Sequence, residues 1–200
     1  MDSNVAVTGG AAKRAYVRSI FAAIAPRYDL LNHLLSLNVD RRWRRQAVEL
    51  LRWERVPDGR YLDLCAGTLD LAVTLAAAPG FHGSVVGADF VLPMLLQGRT
   101  KSTAVIPLNA DALDLPFAEG VFEGATVGFG VRNLADLGAG LREAIRVLRP
   151  GARLVILEFT TPQWQPLKGL YLAYFRRVLP LIGRLVSKHT TAYTYLPESV

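Results

Sequence analysis

Asp63-Leu64-Cys65-Ala66-Gly67-Thr68-Leu69-Asp70 follows a short apolar run and opens a helical pattern. That places a tight turn of small residues at the carboxyl end of a strand, where open α/β sheets bind their ligands. Two further apolar runs end in the same way. Gly83 to Ala88 is closed by Asp89, and Thr103 to Leu108 is followed by Asp111. Three consecutive strand ends each offer a carboxylate to one crevice. Such a crevice suits a ribose diol and an adenine edge.

Outward from this stretch the chain alternates. Strand patterns occupy Arg60 to Leu64, Ser84 to Ala88, Thr103 to Leu108, Gly124 to Phe129 and Arg153 to Phe159. Helical patterns occupy Asp70 to Ala78, Leu92 to Lys101 and Leu137 to Leu148. Strands and helices in alternation with short loops predict an α/β fold, a parallel sheet covered on both faces. Right-handed crossovers with a switch point at the first strand predict the Rossmann-like order 3-2-1-4-5. Before the core, helical spacing runs over Arg14 to Ala25, over Tyr28 to Leu37, and over a third segment that Asp40 is placed to cap. In that third segment Trp43, Ala47, Leu50 and Leu51 share one side. Pro57-Asp58-Gly59 is a turn. The reading is one domain over 1–200, with a helical cap at 1–56, a core at 57–161 and a helical segment at 162–200. Thr190 to Val200 shows no convincing strand, so the final strands of such a sheet are expected to be missing.

Composition is that of a globular domain, with 51% hydrophobic and 20% charged residues in 200. Net charge is +6 and the sequence pI is about 9.8. The excess is local, at Arg41, Arg42, Arg44, Arg45, Arg176 and Arg177. It suits phosphates of a membrane surface or of nucleic acid, or a solvated basic face. Cys65 is the one cysteine, so no intramolecular disulfide forms and a reducing cytoplasm fits. There is no signal-peptide pattern, and no apolar stretch reaches the ~20 residues needed to span a bilayer. His33, His82 and His189 lack metal-ligand spacing, and no metal is expected.

The turn itself narrows the nucleotide. Only Gly67 remains of a G-x-G-x-x-G loop, and no Gly-Lys-Ser/Thr follows, so a pyrophosphate cradle is poorly supported. S-adenosyl-L-methionine carries no phosphate. On this reading Gly67 and Thr68 line its methionine side, and the helix start at Thr68 to Asp70 favours its carboxylate through backbone N–H groups. Asp89 accepts from the ribose diol, and Asp111 with Ala112 faces the adenine amino group. Asp70 reads as a helix cap. Cys65 reads as a small buried residue, and Trp43 and Phe129 read as packing residues.

Several separated segments together resemble the ubiquinone/menaquinone biosynthesis C-methyltransferases, the UbiE/MenG family of the class I S-adenosylmethionine-dependent fold. Tyr28-Asp29-Leu30-Leu31-Asn32, Ser36 and Asp40-Arg41-Arg42-Trp43 are similar to its N-terminal signature. Leu115-Pro116-Phe117 follows Asp111-Ala112 as in the family. Gly128-Phe129-Gly130-Val131-Arg132-Asn133 resembles its Phe-Gly-x-Arg-Asn element, and Arg146 to Gly151 running on to Glu158-Phe159-Thr160 resembles its second signature. The chain departs from the family at Leu69, where glycine is usual, at Asp40 (histidine), Leu31 (methionine) and Ala152 (glycine). Gly128 stands where a cofactor-contacting serine is frequent.

The resemblance implies methyl transfer from S-adenosyl-L-methionine to a ring carbon of a prenylated hydroquinone, in menaquinone or ubiquinone biosynthesis. It implies Arg132 as stabiliser of the phenolate or organiser of a water, Asn133 as the group orienting the ring oxygen, and Tyr28 as a contact from the cap. Gly128 offers backbone to the cofactor. Leu167 to Val186 reads first as a pocket lid, then as a membrane-surface contact or a dimer face. The expected location is cytoplasmic, peripheral at the inner face of the membrane, with no nucleic-acid partner. The rival readings are another small-molecule methyltransferase of this fold and a non-catalytic basic binding protein on a degenerate core.

Overall fold

The computed structural model describes residues 10–36, 38–160 and 165. The segment Leu167 to Val186 and the tail from Thr190 lie outside them. Three helices come first: α1 (Gly10–Ile24), α2 (Tyr28–Leu35) and α3 (Val39–Leu51). The core follows as β1 (Arg60–Leu64), α4 (Asp70–Ala76), β2 (Ser84–Asp89), α5 (Leu92–Gly98), β3 (Val105–Asn109), β4 (Phe122–Gly128), α6 (Leu137–Arg146) and β5 (Leu148–Leu157). All four strand pairings are parallel and the sheet order is β3-β2-β1-β4-β5.

The alternation of side chains along β1 divides the core in two. Tyr61 faces a cluster built from Leu51, Trp53, Leu71, Leu75 and Phe81. Leu62 and Leu64 face another, built from Phe122, Val127, Ala144 and Val147. Both faces of the sheet are therefore covered, as parallel strands require. Pro107 and Pro150, which cannot donate to a ladder, sit on β3 and β5, the outermost strands among the described residues.

Three local expectations give way. β5 starts at Leu148 rather than Arg153, because Leu148 pairs with Phe122 while Arg153 pairs with Gly124. The extra residues bulge out through Pro150 and Gly151, whose φ is 82°. Asp40 does not cap α3. The cap position is Asn38, at φ 61° and with no side-chain bond. Asp40 lies inside the helix, 2% exposed, and accepts from Ser36 Oγ at 2.6 Å, from His33 Nδ1 at 2.8 Å and from Arg44. Its carboxyl is held below the usual range: burial opposes this, and Ser36, Arg44 and His33 together outweigh it. Phe129 leaves β4 at φ 57°, so the strand ends one residue early.

Candidate active site

The turn after β1 is fixed by backbone before any ligand arrives. Ala66 N–H donates to Ala88 O at 3.1 Å, and Leu69 N–H donates to Ala66 O at 2.7 Å. Cys65, Gly67 and Leu69 all take left-handed φ values, 53°, 53° and 68°. Gly67 does so without penalty, whereas a leucine there costs about 1–2 kcal/mol. The turn holds Gly67 N–H on Asp89 Oδ2 at 2.8 Å, and Val91 N–H holds Asp89 Oδ1 at 2.8 Å. A carboxylate offers about four lone-pair sites, so with Gly67, Val91 and Phe90 N–H all directed at it Asp89 still has acceptor capacity for a ligand hydroxyl. Burial pushes the Asp89 carboxyl up, and the backbone donors pull against it. Asp111 is held by Leu113 N–H at 3.1 Å and by Arg14 at 2.8 Å.

These groups border one cavity with about 700 Å³ of empty space, its open solvent mouth included. It is lined mostly by apolar side chains with a few polar groups, the make-up of a small-molecule site. Of the residues chosen from sequence, Tyr28, Gly67, Asp89, Asp111, Ala112, Gly128 and Asn133 all line it. Thr68 lines an adjoining cavity of about 350 Å³, which shares Tyr28, Cys65, Gly67, Gly128 and Phe129 with the first. Its hydroxyl does not point to a ligand but donates to Asp29 of α2. Arg132 lies outside both cavities. Its guanidinium pairs with Glu158 and sits 5.6 Å over the Phe159 ring. Among the described residues Arg132 Nε and Glu158 Oε2 are buried without a hydrogen bond. Phe159 stacks on Phe129 at 4.5 Å, and Trp43 meets both rings edge-on.

The third strand-end acid, Asp63, does not reach the crevice as a free carboxylate. Thr126 Oγ1 donates to one oxygen at 2.8 Å and Ala72 N–H to the other at 3.1 Å. Burial pushes its carboxyl up to about 7, against those bonds and Arg44. Between ~3.9, the unfolded value, and about 7 the unfolded chain releases a proton that the folded chain keeps. Stability is therefore full below that window, falls as pH rises through it, and is level above. Three pH units correspond to on the order of 4 kcal/mol. Asp63→Asn retains an acceptor for Ala72 N–H and can donate to Thr126, yet cannot ionise. Denaturant melts from pH 4 to 8 are expected to show the variant gaining on the wild type by that order as pH rises. A pH-independent difference between the two proteins refutes the assignment.

Asp70 does not cap α4: Leu69 holds the cap position with no side-chain bond, and Asp70, the first helical residue, takes ion pairs from Arg44 and Lys101. Cys65 is half-buried and lines both cavities, with burial raising its thiol pKa, so it stays a thiol. Burial also raises the Tyr28 phenol, which makes it a donor and not a base. The sequence reading passed over Arg14, Arg44, Lys101 and Glu158. Each acquires its place through a partner on another element, except the Arg44–Asp40 pair, whose i, i+4 spacing was visible. α1 covers the large cavity with Val17 and Phe21 and is tied down by Lys13 Nζ on Arg132 O at 2.9 Å.

Solved structures share this architecture. An S-adenosylmethionine-dependent methyltransferase from Thermotoga maritima is 24% identical, with a TM-score of 0.56, over 70% of this chain and 60% of its own. S-adenosylmethionine-bound CalS10, an amino pentose methyltransferase from Micromonospora echinaspora, has a TM-score of 0.51 at 23% identity, over 60% of this chain and 52% of its own. Sheet order, turn and crevice together define a class I S-adenosyl-L-methionine-dependent methyltransferase. Residues 10–200 match the ubiE/COQ5 methyltransferase family, and the chain belongs to it. Its relatives include a demethylmenaquinone methyltransferase of Thermus thermophilus, 53% identical over 90% of this chain and 83% of that protein. The ubiquinone/menaquinone biosynthesis C-methyltransferase UbiE of Geobacter sulfurreducens is 45% identical over 92% of this chain and 73% of its own length.

Proposed function

We propose that this methyltransferase alkylates a ring carbon of a prenylated hydroquinone of the demethylmenaquinol type. The observation that carries the reading is the corner after β4. Asn133 stands in the wall of the cavity that contains Asp89 and Asp111, and Arg132 beside it is anchored on Glu158 and Phe159. The names and identities of the relatives support the substrate class. A degenerate core would require Leu69, which stands where glycine is usual in the family, to fill the crevice. That side chain is 1% exposed and borders neither cavity, so it leaves the crevice open.

Asp89 fits the ribose diol, Asp111 and Ala112 fit the adenine edge, and the unpaired lone pairs of Asp89 are the test of that fit. Bound S-adenosyl-L-methionine supplies an electrophilic methyl on a sulfonium. The protein's share is to hold a ring carbon in line with it, which is mostly orientation. Arg132 places a permanent positive charge where a phenolate develops, or holds the water that takes the phenolic proton. It is not itself a base, since a guanidinium keeps its proton in proteins. Asn133 orients the ring oxygen, and Tyr28 contributes a neutral donor.

The isoprenoid tail calls for an apolar path. No helix among the described residues is long and apolar enough to cross a membrane. Leu167 to Val186 lies outside the described residues, and its aromatics with Arg176, Arg177 and Arg184 suit peripheral contact with an anionic bilayer. Flotation with anionic vesicles tests that contact, and no association removes it. The function is tested by methyl-labelled S-adenosyl-L-methionine and a chemically reduced prenylated naphthoquinone. Label is expected in the quinol with one S-adenosylhomocysteine per methyl. Cofactor binding without label in any prenylated hydroquinol overturns the reading.

A further inference from the structure

We propose that the outer face of α2, together with the basic start of α3, docks this methyltransferase on an anionic lipid bilayer, from which the quinol ring enters the cavity while its prenyl tail stays in the membrane. The inference rests on the prenylated-hydroquinol reading above and names the surface at which that substrate arrives.

For a helix on the surface of a globular domain, α2 is turned inside out. Its polar side chains are spent on the protein. Asp29 accepts from Thr68 Oγ1 and pairs with Lys101 at 2.6 Å, Asn32 bonds the Tyr28 side chain, and His33 Nδ1 meets the buried Asp40 at 2.8 Å. Leu30 and Leu34, four residues apart and so on one side of the helix, lie away from these partners and are 61% and 46% exposed. Val39, at the start of α3, is 41% exposed. Single exposed leucines are ordinary, but a surface helix normally buries its apolar stripe and shows water its polar one. The inverted order leaves an apolar stripe that gains free energy only when something apolar covers it.

The neighbouring charges select the occupant. Residues 10–51 hold eight lysines and arginines against three acids, which is +5 of the chain's +6. Two of those acids, Asp29 and Asp40, are engaged internally, whereas Arg27, Arg41, Arg42 and Arg45 are exposed. Leucines flanked by arginines suit the interface of an anionic membrane, with the apolar side at the acyl boundary and the cations among the headgroups. A second copy of this face would bring its own arginines against these, so self-association through it is disfavoured. The placement also serves the chemistry. Tyr28, the first residue of α2, borders both cavities, so bilayer and ring site are separated by one helix diameter, about 10–12 Å. A tail anchored in lipid can therefore present its ring to the cavity without leaving the membrane.

Flotation with vesicles of phosphatidylcholine alone, and of an equal mixture with phosphatidylglycerol, tests the surface, with thermal melts on each variant to confirm folding. The wild type is expected to float with the anionic vesicles and to leave them at high salt. Leu30→Ser/Leu34→Ser changes only exposed side chains and is expected to weaken that partitioning about 10- to 100-fold. Arg41→Gln/Arg45→Gln is expected to weaken it about 10- to 30-fold on the anionic vesicles and to leave the neutral ones unaffected. Methylation separates docking from catalysis. The leucine variant should match the wild type on a short-tailed quinol dispersed in nonionic detergent, and fall about 10-fold or more behind it when a long-tailed quinol is embedded in the anionic vesicles. A wild type that does not float, a leucine variant that floats equally well, or equal partitioning of the wild type on neutral and anionic vesicles overturns the proposal. So does a wild-type dimer that the leucine substitutions dissolve, which assigns the face to a second copy. Flotation that depends on Leu30 and Leu34, without methylation of any prenylated hydroquinol, supports the docking surface and overturns only the substrate assignment.

Discussion

Arg132→Ala is expected to lower kcat about 100- to 1,000-fold, the range seen when one preorganised donor to a developing oxyanion is removed. S-adenosylhomocysteine affinity should stay within about twofold, because the guanidinium borders neither cavity. The structural ground is the posture of the side chain. It is 11% exposed, laid over Phe159 and paired with Glu158, while its Nε and Glu158 Oε2 both lack a hydrogen bond among the described residues. A buried ion pair left partly unsatisfied contributes little net stability, so its place next in the chain to Asn133, which lines the larger cavity, points to the reaction. Alanine also strands Glu158, at a cost of about 1–3 kcal/mol, so thermal melts must accompany the kinetics. Arg132→Lys controls for that, since it keeps the charge and loses the planar fork. An intermediate kcat is expected for lysine. Single-turnover methylation measured beside calorimetry reads both arms, and unchanged turnover in the alanine variant removes Arg132 from the mechanism.

What could be read in advance and what could not divide along a physical line. The bounds of β1, the order of the sheet and the positions of Asp89 and Asp111 follow from local signals. Those signals are apolar runs of strand length, acids at their ends, and helical spacing between them. Asp40 was misread because a helix-favouring acid near a helix start looks like a cap. Only the folded chain shows Ser36, His33 and Arg44 converging on it. Asp63 was misread for the opposite reason: a strand of period two aims it beneath the turn, at Thr126 on β4, while Asp89 is met by the turn itself. Arg14 on Asp111, Lys101 on Asp29 and Glu158 on Arg132 join elements far apart in the chain, and no spacing rule reports them. Thr68 borders the smaller cavity, but its hydroxyl serves α2, which its sequence position does not report.

Leu69 is the departure from the family whose effect is largest, and it is expected to be energetically inseparable from Gly87. A leucine at φ 68° is strained, yet its side chain is 1% exposed and reaches across to β2. A methyl group built on Gly87 comes within 2.3 Å of Leu69 Cδ2 and 3.4 Å of Ala66 Cβ. The glycine in β2 is what leaves room for a bulky residue in the turn. Gly87→Ala alone should therefore cost about 3 kcal/mol or more, since a side chain so enclosed has nowhere to rotate. It should also weaken S-adenosylhomocysteine binding, because the displaced turn carries the Gly67 N–H that orients Asp89. Leu69→Ala alone should cost about 2–5 kcal/mol through the cavity it opens. In Leu69→Ala/Gly87→Ala the new methyl occupies space the leucine vacates, and the loss should fall short of the sum by about 1–3 kcal/mol. Leu69→Gly in the same background removes the left-handed strain as well and should recover roughly a further 1 kcal/mol. Urea melts of the four proteins of the cycle, with affinity measured on each, decide the matter. Additive losses would mean that the strained leucine and the strand glycine are independent, and that the turn's geometry owes nothing to β2.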